Sequence, residues 1–346
     1  MVNRVLMTGN EALGEGAIRG GCACYFGYPI TPQNELTAYM AANMPAKNRV
    51  FIQSESELAA INMVFGASVT GARAMTSSSS PGISLKQEGI SYLAAACLPA
   101  VIVNVMRAGP GLGDITPSQA DYYQATRGGG HGDYRTIVLA PATVQEMHDF
   151  AVLAFDLADK YRNPVLILAD GRLGQMMEPL VLSDKKPDLP DKPWALGNSA
   201  GRKKRTIRSY YAGKVEDNNI RIQKKLREVE QHEVRFDTYM LDDADIMLVA
   251  YGTSARLSCG AVNLARSEGI KAGLLRPQTL YPFPFDAIRG HLDHVKAVLT
   301  VEMSGGQMLD DVRLAVEGRV PTHFHGRMGG AVPSVADIAE EIRRIR

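Results

Sequence analysis

Cysteine is scarce and scattered in this sequence: four in 346 residues, Cys22, Cys24, Cys97 and Cys259, with no C-x-x-C pair. That spacing excludes a disulfide framework, an iron–sulfur cluster and a structural zinc on this chain, and suits small buried residues of a reduced, cytoplasmic protein. Aromatic residues are sparse at 7%, with Trp194 the single tryptophan, which leaves little for stacking on bases. Neither charge dominates: 38 basic side chains face 37 acidic ones, so nucleic acid is not an expected partner. Long apolar runs are missing. The longest, 90–106, is broken by Ser91, Pro99 and Asn104, and no segment is expected to span a membrane. The first seven residues are too short and polar for a signal peptide and read as a strand.

Common signatures are absent as well. The glycines of 14–20 have one residue too many for G-x-G-x-x-G and lie in a helical stretch; there is no P-loop, no G-x-S-x-G elbow and no H-E-x-x-H. The histidines show no ligand spacing, and no metal site is expected.

What is present is a regular alternation. The length predicts two or three domains with ample buried core. Residues 1–180 carry a net charge of −3, 181–240 of +5 and 241–346 of −1. Short β-branched runs at 4–7, 23–26, 50–53, 72–76, 100–105, 136–139 and 164–168 alternate with helix signals. These are Ser54 before 55–69, Ser80-Pro81-Gly82 before 83–96, and Thr143-x-x-Glu146 opening a helix to about 161. The last part repeats the scheme with strands at 246–250, 272–275, 297–301 and 323–324, and helices starting near Ser254, Pro284, Ser304 and Ser334. Such alternation predicts an α/β protein: two doubly wound domains with parallel sheets, in tandem, over 1–183 and 241–346. The basic segment 184–240 between them, with Arg202-Lys203-Lys204-Arg205, reads as a linker. Within it Ile222, Leu226 and Val229 recur at i, i+4, i+7, so an amphipathic helix with a solvated basic face is expected.

Three places could carry chemistry. Tyr28-Pro29-Ile30-Thr31-Pro32 follows the second strand, and Thr116-Pro117 follows the loop 107–113. In both, Thr-Pro reads as the N-cap and first residue of a helix. Ligands of open parallel sheets sit beyond the carboxyl strand ends, so the same two starts with Arg107 also describe a small carboxylate site. Ser54-Glu55-Ser56-Glu57 precedes a helix rich in small residues; Glu57 fits a capping box with Ser54 as well as it fits an active acid. Glu55 and Glu57 lie about 200° apart on a helix, so one of them at most faces a given site.

With these residues the chain resembles the α subunits of the 2-oxoacid:ferredoxin oxidoreductases, those for branched-chain substrates such as 2-ketoisovalerate most of all. The resemblance rests on 28–32, Glu57, Thr76-Ser77-Ser78-Ser79-Ser80-Pro81-Gly82, Met106-Arg107-Ala108-Gly109-Pro110 and 128–133, and covers both domains. It implies a pyrimidine-binding-type domain of thiamine diphosphate enzymes followed by a transketolase C-terminal-type domain. It implies that Glu57 hydrogen-bonds the aminopyrimidine ring, with Tyr28 and Pro29 also on the cofactor. Thr31, Arg107 and Thr116 then lie on the substrate, Arg107 holding its carboxylate. The reaction implied is oxidative decarboxylation with coenzyme A, giving acyl-CoA, carbon dioxide and reduced ferredoxin. The diphosphate signature Gly-Asp-Gly with a later Asn is missing; Ala169-Asp170-Gly171 is a partial echo. Partner subunits are therefore expected: a β subunit with the diphosphate motif, γ and ferredoxin-like δ subunits, and ferredoxin, with Mg2+ and the [4Fe-4S] clusters on partner subunits only, in a dimer of heteromers. Where relatives acting on 2-oxoglutarate have Ser-Thr, this chain has Gly111-Leu112, which favours an aliphatic substrate tail. The alternatives are a 2-oxoglutarate enzyme, a transketolase-like or sulfopyruvate decarboxylase-like half-enzyme without ferredoxin, and a non-catalytic carboxylate-binding subunit.

Overall fold

The structure is a computed structural model that describes residues 4–183, 186–198, 206–208 and 213–346. The basic run Arg202-Lys203-Lys204-Arg205 and the first three residues lie outside the described residues.

The first lobe opens with β1 (Arg4–Thr8), α1 (Gly9–Arg19), β2 (Cys24–Gly27), α2 (Asn34–Ala46), β3 (Val50–Gln53) and α3 (Glu57–Val69). It continues through β4 (Ala74–Ser78), α4 (Ser80–Ala95), β5 (Ala100–Ala108), β6 (Asp114–Pro117), α5 (Tyr122–Arg127) and β7 (Ile137–Leu139). It closes with α6 (Val144–Tyr161), β8 (Pro164–Asp170), α7 (Gly171–Gln175) and β9 (Met177–Val181). The connecting segment holds α8 (Val215–His232). The second lobe runs β10 (Phe236–Tyr239), β11 (Ile246–Ala250), α9 (Gly252–Ser267), β12 (Ala272–Pro277), β13 (Thr279–Tyr281) and α10 (Phe285–His291). Its remaining elements are β14 (Ala297–Glu302), α11 (Gln307–Val316), β15 (Thr322–Gly326) and α12 (Val335–Ile345).

The two parallel sheets expected from the alternation are present, in the orders β13-β7-β8-β5-β4-β2-β3 and β10-β12-β11-β14-β15. Helices cover both faces of the first sheet, so β4, β5 and β8 are buried from end to end and read as apolar runs. Their polar residues gather toward the carboxyl ends: Ser77 and Ser78, Asn104 and Arg107, and Asp170. Between β2 and β4 the strand order reverses, and this opens a crevice at those ends.

Several details differ from the sequence expectation. The first strand, β1, leaves the main sheet and pairs antiparallel with β9. Antiparallel strands edge both sheets. β10, in the stretch read as linker, pairs with β12, while β13 of the second lobe pairs with β7 of the first. The lobes therefore share one core, in which Ile61, Ile83 and Val138 pack in the same cluster as Val249, Leu275 and Phe283. Local periodicity says nothing of such long-range pairing. The linker helix α8 does bury Ile222, Leu226 and Val229, and it leaves Arg221, Lys224 and Arg227 exposed. Lys225 departs from the solvated face, its Nζ donating to the Arg162 carbonyl at 3.1 Å. Among the described residues no helix is long and apolar enough to cross a membrane.

Gln119, fully buried, clamps the lobes together. Its Nε2 donates to the Tyr251 carbonyl at 2.9 Å, and its Oε1 accepts from Ser254 Oγ at 2.7 Å and Met303 N–H at 2.9 Å. Asp170 adds a second tie by accepting from Thr253 N–H and Oγ1 while capping α7. That cap is where the Ala169-Asp170-Gly171 echo goes, and burial raises the carboxyl pKa of Asp170. Gln119→Ala orphans three buried groups and is expected to lower unfolding free energy by about 3 kcal/mol, read by urea denaturation; a loss under about 0.5 kcal/mol would show that the clamp contributes nothing.

Candidate active site

The chain leaves β2 through Tyr28 and Pro29, both exposed, and turns at 30–33, where Gln33 N–H donates to the Ile30 carbonyl at 3.1 Å. Helix α2 begins only at Asn34. Thr31-Pro32 is thus not the helix cap expected: the turn already satisfies the first free N–H, and Thr31 Oγ1 accepts from the Asn34 side chain at 3.3 Å. Thr116-Pro117 is no helix start either. It closes β6, antiparallel to β5 with Pro117 opposite Arg107, and α5 starts at Tyr122.

The capping box at Ser54 also fails to form. Ser54 Oγ donates to the Gly27 carbonyl at 3.0 Å, tying β3 to β2, and Ser56 takes the cap by accepting from Ala59 N–H at 3.1 Å. Glu57 is released from capping at the first position of α3. It is 6% exposed, and among the described residues no hydrogen bond or ion pair engages its carboxylate. Glu55 is exposed, so one acid of the pair faces inward.

Glu57 points at the first turn of α4. A Cβ on Gly82 would stand 2.6 Å from Glu57 Oε1 and 2.1 Å from Ser78 Oγ, so only glycine admits the carboxylate here. Arg107 reaches the same turn from β5. Its backbone N–H donates to Ser80 Oγ at 3.0 Å, and Ser80 Oγ in turn donates to Asp121 at 2.6 Å, a carboxyl whose pKa burial raises. The Arg107 guanidinium, 8% exposed, donates to the Thr31 carbonyl at 3.1 Å and the Leu112 carbonyl at 2.8 Å, with Nε buried and unpartnered. Leu112 itself is 80% exposed. Glu57, Arg107 and Thr31 therefore converge on one end of the first sheet. Thr116 stands beside them but packs on the second lobe: a Cβ at Gly330 would lie 1.9 Å from its Oγ1.

Sequence reasoning passed over Lys86. It is 0% exposed and donates to Thr76 Oγ1 at 2.7 Å and the Ser77 carbonyl at 3.3 Å, one turn of α4 beyond Gly82. Its signal was available: a lone lysine between Ile83 and Ile90 on an apolar helix face. Ser77 Oγ continues the network, hydrogen-bonding Gln33 and Tyr25 at 2.6 Å each.

A thiamine-type cofactor can be tested against this arrangement. An unengaged buried acid, the unpartnered hydroxyls of Ser78 and Ser79, the Gln33 Nε2 and the Arg107 Nε lie around the carboxyl ends of β2, β4 and β5. Native interiors rarely leave so many polar atoms unsatisfied unless a ligand meets them. The residues fit a polar, partly cationic group.

Comparison with known proteins agrees. The model of the family described as "Pyruvate flavodoxin/ferredoxin oxidoreductase, thiamine diP-bdg" matches residues 15–240. The chain belongs to this family. A second model, "Pyruvate:ferredoxin oxidoreductase core domain II", matches 244–338. Ketoisovalerate oxidoreductase subunit VorB of Methanothermobacter marburgensis is 52% identical, covering 98% of this chain and 97% of its own. The 2-oxoglutarate synthase subunit KorA of Archaeoglobus fulgidus is 40% identical, covering 89% and 90%. In fold, the chain is similar to a solved 2-oxoglutarate:ferredoxin oxidoreductase from Magnetococcus marinus, with a TM-score of 0.85 at 24% identity over 99% of this chain and 65% of that one. A split-gene transketolase follows at a TM-score of 0.63, with 15% identity over 98% of each chain. The tandem α/β fold is thus shared with both.

The steric argument at Gly82 yields a test. Gly82→Ala is expected to push the Glu57 carboxylate aside and cut turnover about a hundredfold. Helix propensity favours alanine by about 1 kcal/mol, so the melting temperature should not fall in proportion. Full activity in that variant would show that the carboxylate position is unimportant.

Proposed function

We propose that this chain is the α subunit of a thiamine-diphosphate-dependent 2-oxoacid:ferredoxin oxidoreductase. Its reaction converts a branched-chain 2-oxoacid of the 2-ketoisovalerate kind, coenzyme A and oxidised ferredoxin to the acyl-CoA, carbon dioxide and reduced ferredoxin. The observation that carries this reading is an unengaged buried acid and a buried arginine at the same end of the first sheet, the acid's carboxylate and the arginine's backbone both against the first turn of α4. Identities of 51% and 52% to ketoisovalerate oxidoreductase subunits, against 33% to 40% for 2-oxoglutarate synthase subunits, support the branched-chain substrate.

Thiamine diphosphate, when bound, supplies a nucleophilic thiazolium carbon. Glu57 holds the aminopyrimidine ring by a hydrogen bond and moves a proton at a ring nitrogen, for which a buried carboxylate without competing partners is suited. Tyr28 and Pro29 border the ring. Arg107 binds the 2-oxoacid carboxylate through its free Nε, while the carbonyls of Thr31 and Leu112 hold its plane; each charge-assisted bond is worth about 1.5–3 kcal/mol. Thr31 and Thr116 flank the substrate. Leu112 offers an aliphatic tail a contact of about 0.8 kcal/mol per buried methylene, which separates related acids only weakly.

Asp170 is engaged between the lobes, so the diphosphate and Mg2+ fall to a β subunit, and the [4Fe-4S] clusters to partner subunits, among them γ and ferredoxin-like δ subunits. Exposed Tyr28, Leu112 and Ile115 around the site give the β subunit a surface to cover. Residues 1–183 then act as the pyrimidine-type domain, 184–240 as the connection and 241–346 as the transketolase C-terminal-type domain, in a dimer of heteromers in the cytoplasm.

Assays of the assembled complex test this reading. Turnover should be highest with 2-ketoisovalerate, lower with pyruvate and 2-oxoglutarate; a clear preference for 2-oxoglutarate would overturn the substrate. Glu57→Gln should remove most turnover with assembly intact, and an unchanged kcat would leave Glu57 a mere helix-start residue. Arg107→Ala should raise KM for the 2-oxoacid at little cost in cofactor affinity. A KM unchanged from the parent's for every substrate would sink its carboxylate role.

A further inference from the structure

We propose that Lys86 is a positioning residue for Glu57, supplying from beneath the first turn of α4 the positive charge that the acid's carboxylate faces. The inference rests on the reading of Glu57 given above and adds a residue to it.

Lys86 has no structural need for a charge. Its position on α4 falls among Ile83, Ile90 and Leu93, all buried, where an apolar side chain would pack without desolvating an ammonium. Its Nζ has three protons and two acceptors, Thr76 Oγ1 and the Ser77 carbonyl. Both acceptors are on β4, next to Ser78, the residue whose Oγ shares the space over Gly82 with Glu57 Oε1. Side chains on a helix lean toward its N-terminus, which directs Lys86 to that turn. Burial pushes its pKa down to about 7, and Glu57 is the charge that acts the other way.

Other charges around α4 have hydrogen-bond partners of their own, Glu88 with the Tyr92 hydroxyl and Arg221 with the Asn218 side chain among them. Asp121 pairs with Ser80 and Asn104, Arg107 with two carbonyls, and Lys225 with the Arg162 carbonyl and the Cys97 thiol. Lys86 sits one turn of α4 beyond the Gly82 contact of Glu57, and Glu57 is the charge that acts on it. Through Ser77 it is also joined to Gln33 and Tyr25, so Lys86, β4 and the 30–33 turn share one buried network beside the acid.

Lys86→Met, close in volume, in the assembled complex is the test. Turnover should fall about tenfold with the 2-oxoacid KM changed less than twofold. The acid limb of the kcat profile should also move by about half a pH unit or more, a change that lost packing alone would not produce. A second readout needs no turnover. With a pKa of about 7 in the fold and 10.5 as the ordinary value, the unfolded chain binds the extra proton between those values, so the parent's stability rises with pH across that window. Lys86→Met should flatten that rise and raise the melting temperature at pH 7. Should Lys86→Met not assemble, Thr76→Val removes the shorter hydrogen bond and should shift the same limb in the same direction. A variant with unchanged kcat and pH profile, or one whose activity falls only as its melting temperature falls, would overturn the proposal. If Glu57→Gln itself keeps full turnover, the reading of Glu57 fails first; if Glu57→Gln is inactive while Lys86→Met and Thr76→Val behave as the parent, this inference fails alone.

Discussion

A parallel sheet covered on both faces leaves its polar side chains one place to go, the ends of its strands, and the site here follows from that constraint. β4 and β5 start apolar in the core and turn polar at Thr76, Ser77, Ser78, Asn104 and Arg107. The reversal of strand order between β2 and β4 opens the sheet at the same end. The missing Cβ of Gly82 then decides what enters: with it absent, a carboxylate from α3 reaches the first turn of α4.

The second lobe works mainly as a brace. Its sheet lends β13 to the first sheet and shares its hydrophobic core, and Arg276 reaches Glu146 on α6 through two hydrogen bonds of 2.6 and 2.7 Å. That is why Glu146 does not close the capping box its spacing with Thr143 suggests. Thr143 does cap α6, but the glutamate turns to Ala142 N–H and the arginine. Gln119 and Asp170 add neutral and charged ties, all of them buried, so the lobes are held by interactions that cost much to break. Such bracing keeps Thr116 and the loop at Gly330 in fixed contact beside Arg107.

Much of this was legible before any coordinates. The alternation of strands and helices, the stripe at Ile222, Leu226 and Val229, and the division of Glu55 and Glu57 between two faces each follow from periodicity acting over a few residues, while the choice of Glu57 came from the family resemblance. The caps were read less well. Ser54, Thr31 and Thr116 each have the right residue type for an N-cap, yet each spends its hydrogen bonds otherwise, with Gly27, Asn34 and Asp114. A hydroxyl at a strand end has several partners within reach, and sequence spacing does not rank them.

The sequence alone determined the α/β class, the family and the residue types of the site, because these depend on local pattern and on a handful of fixed motifs. Only the tertiary structure decided that β1 leaves the main sheet, that β13 crosses to the other lobe, and that Lys86 lies buried near Glu57. Those outcomes depend on which distant strands pair and which charges are stripped of water together, and neither is encoded at any spacing along the chain.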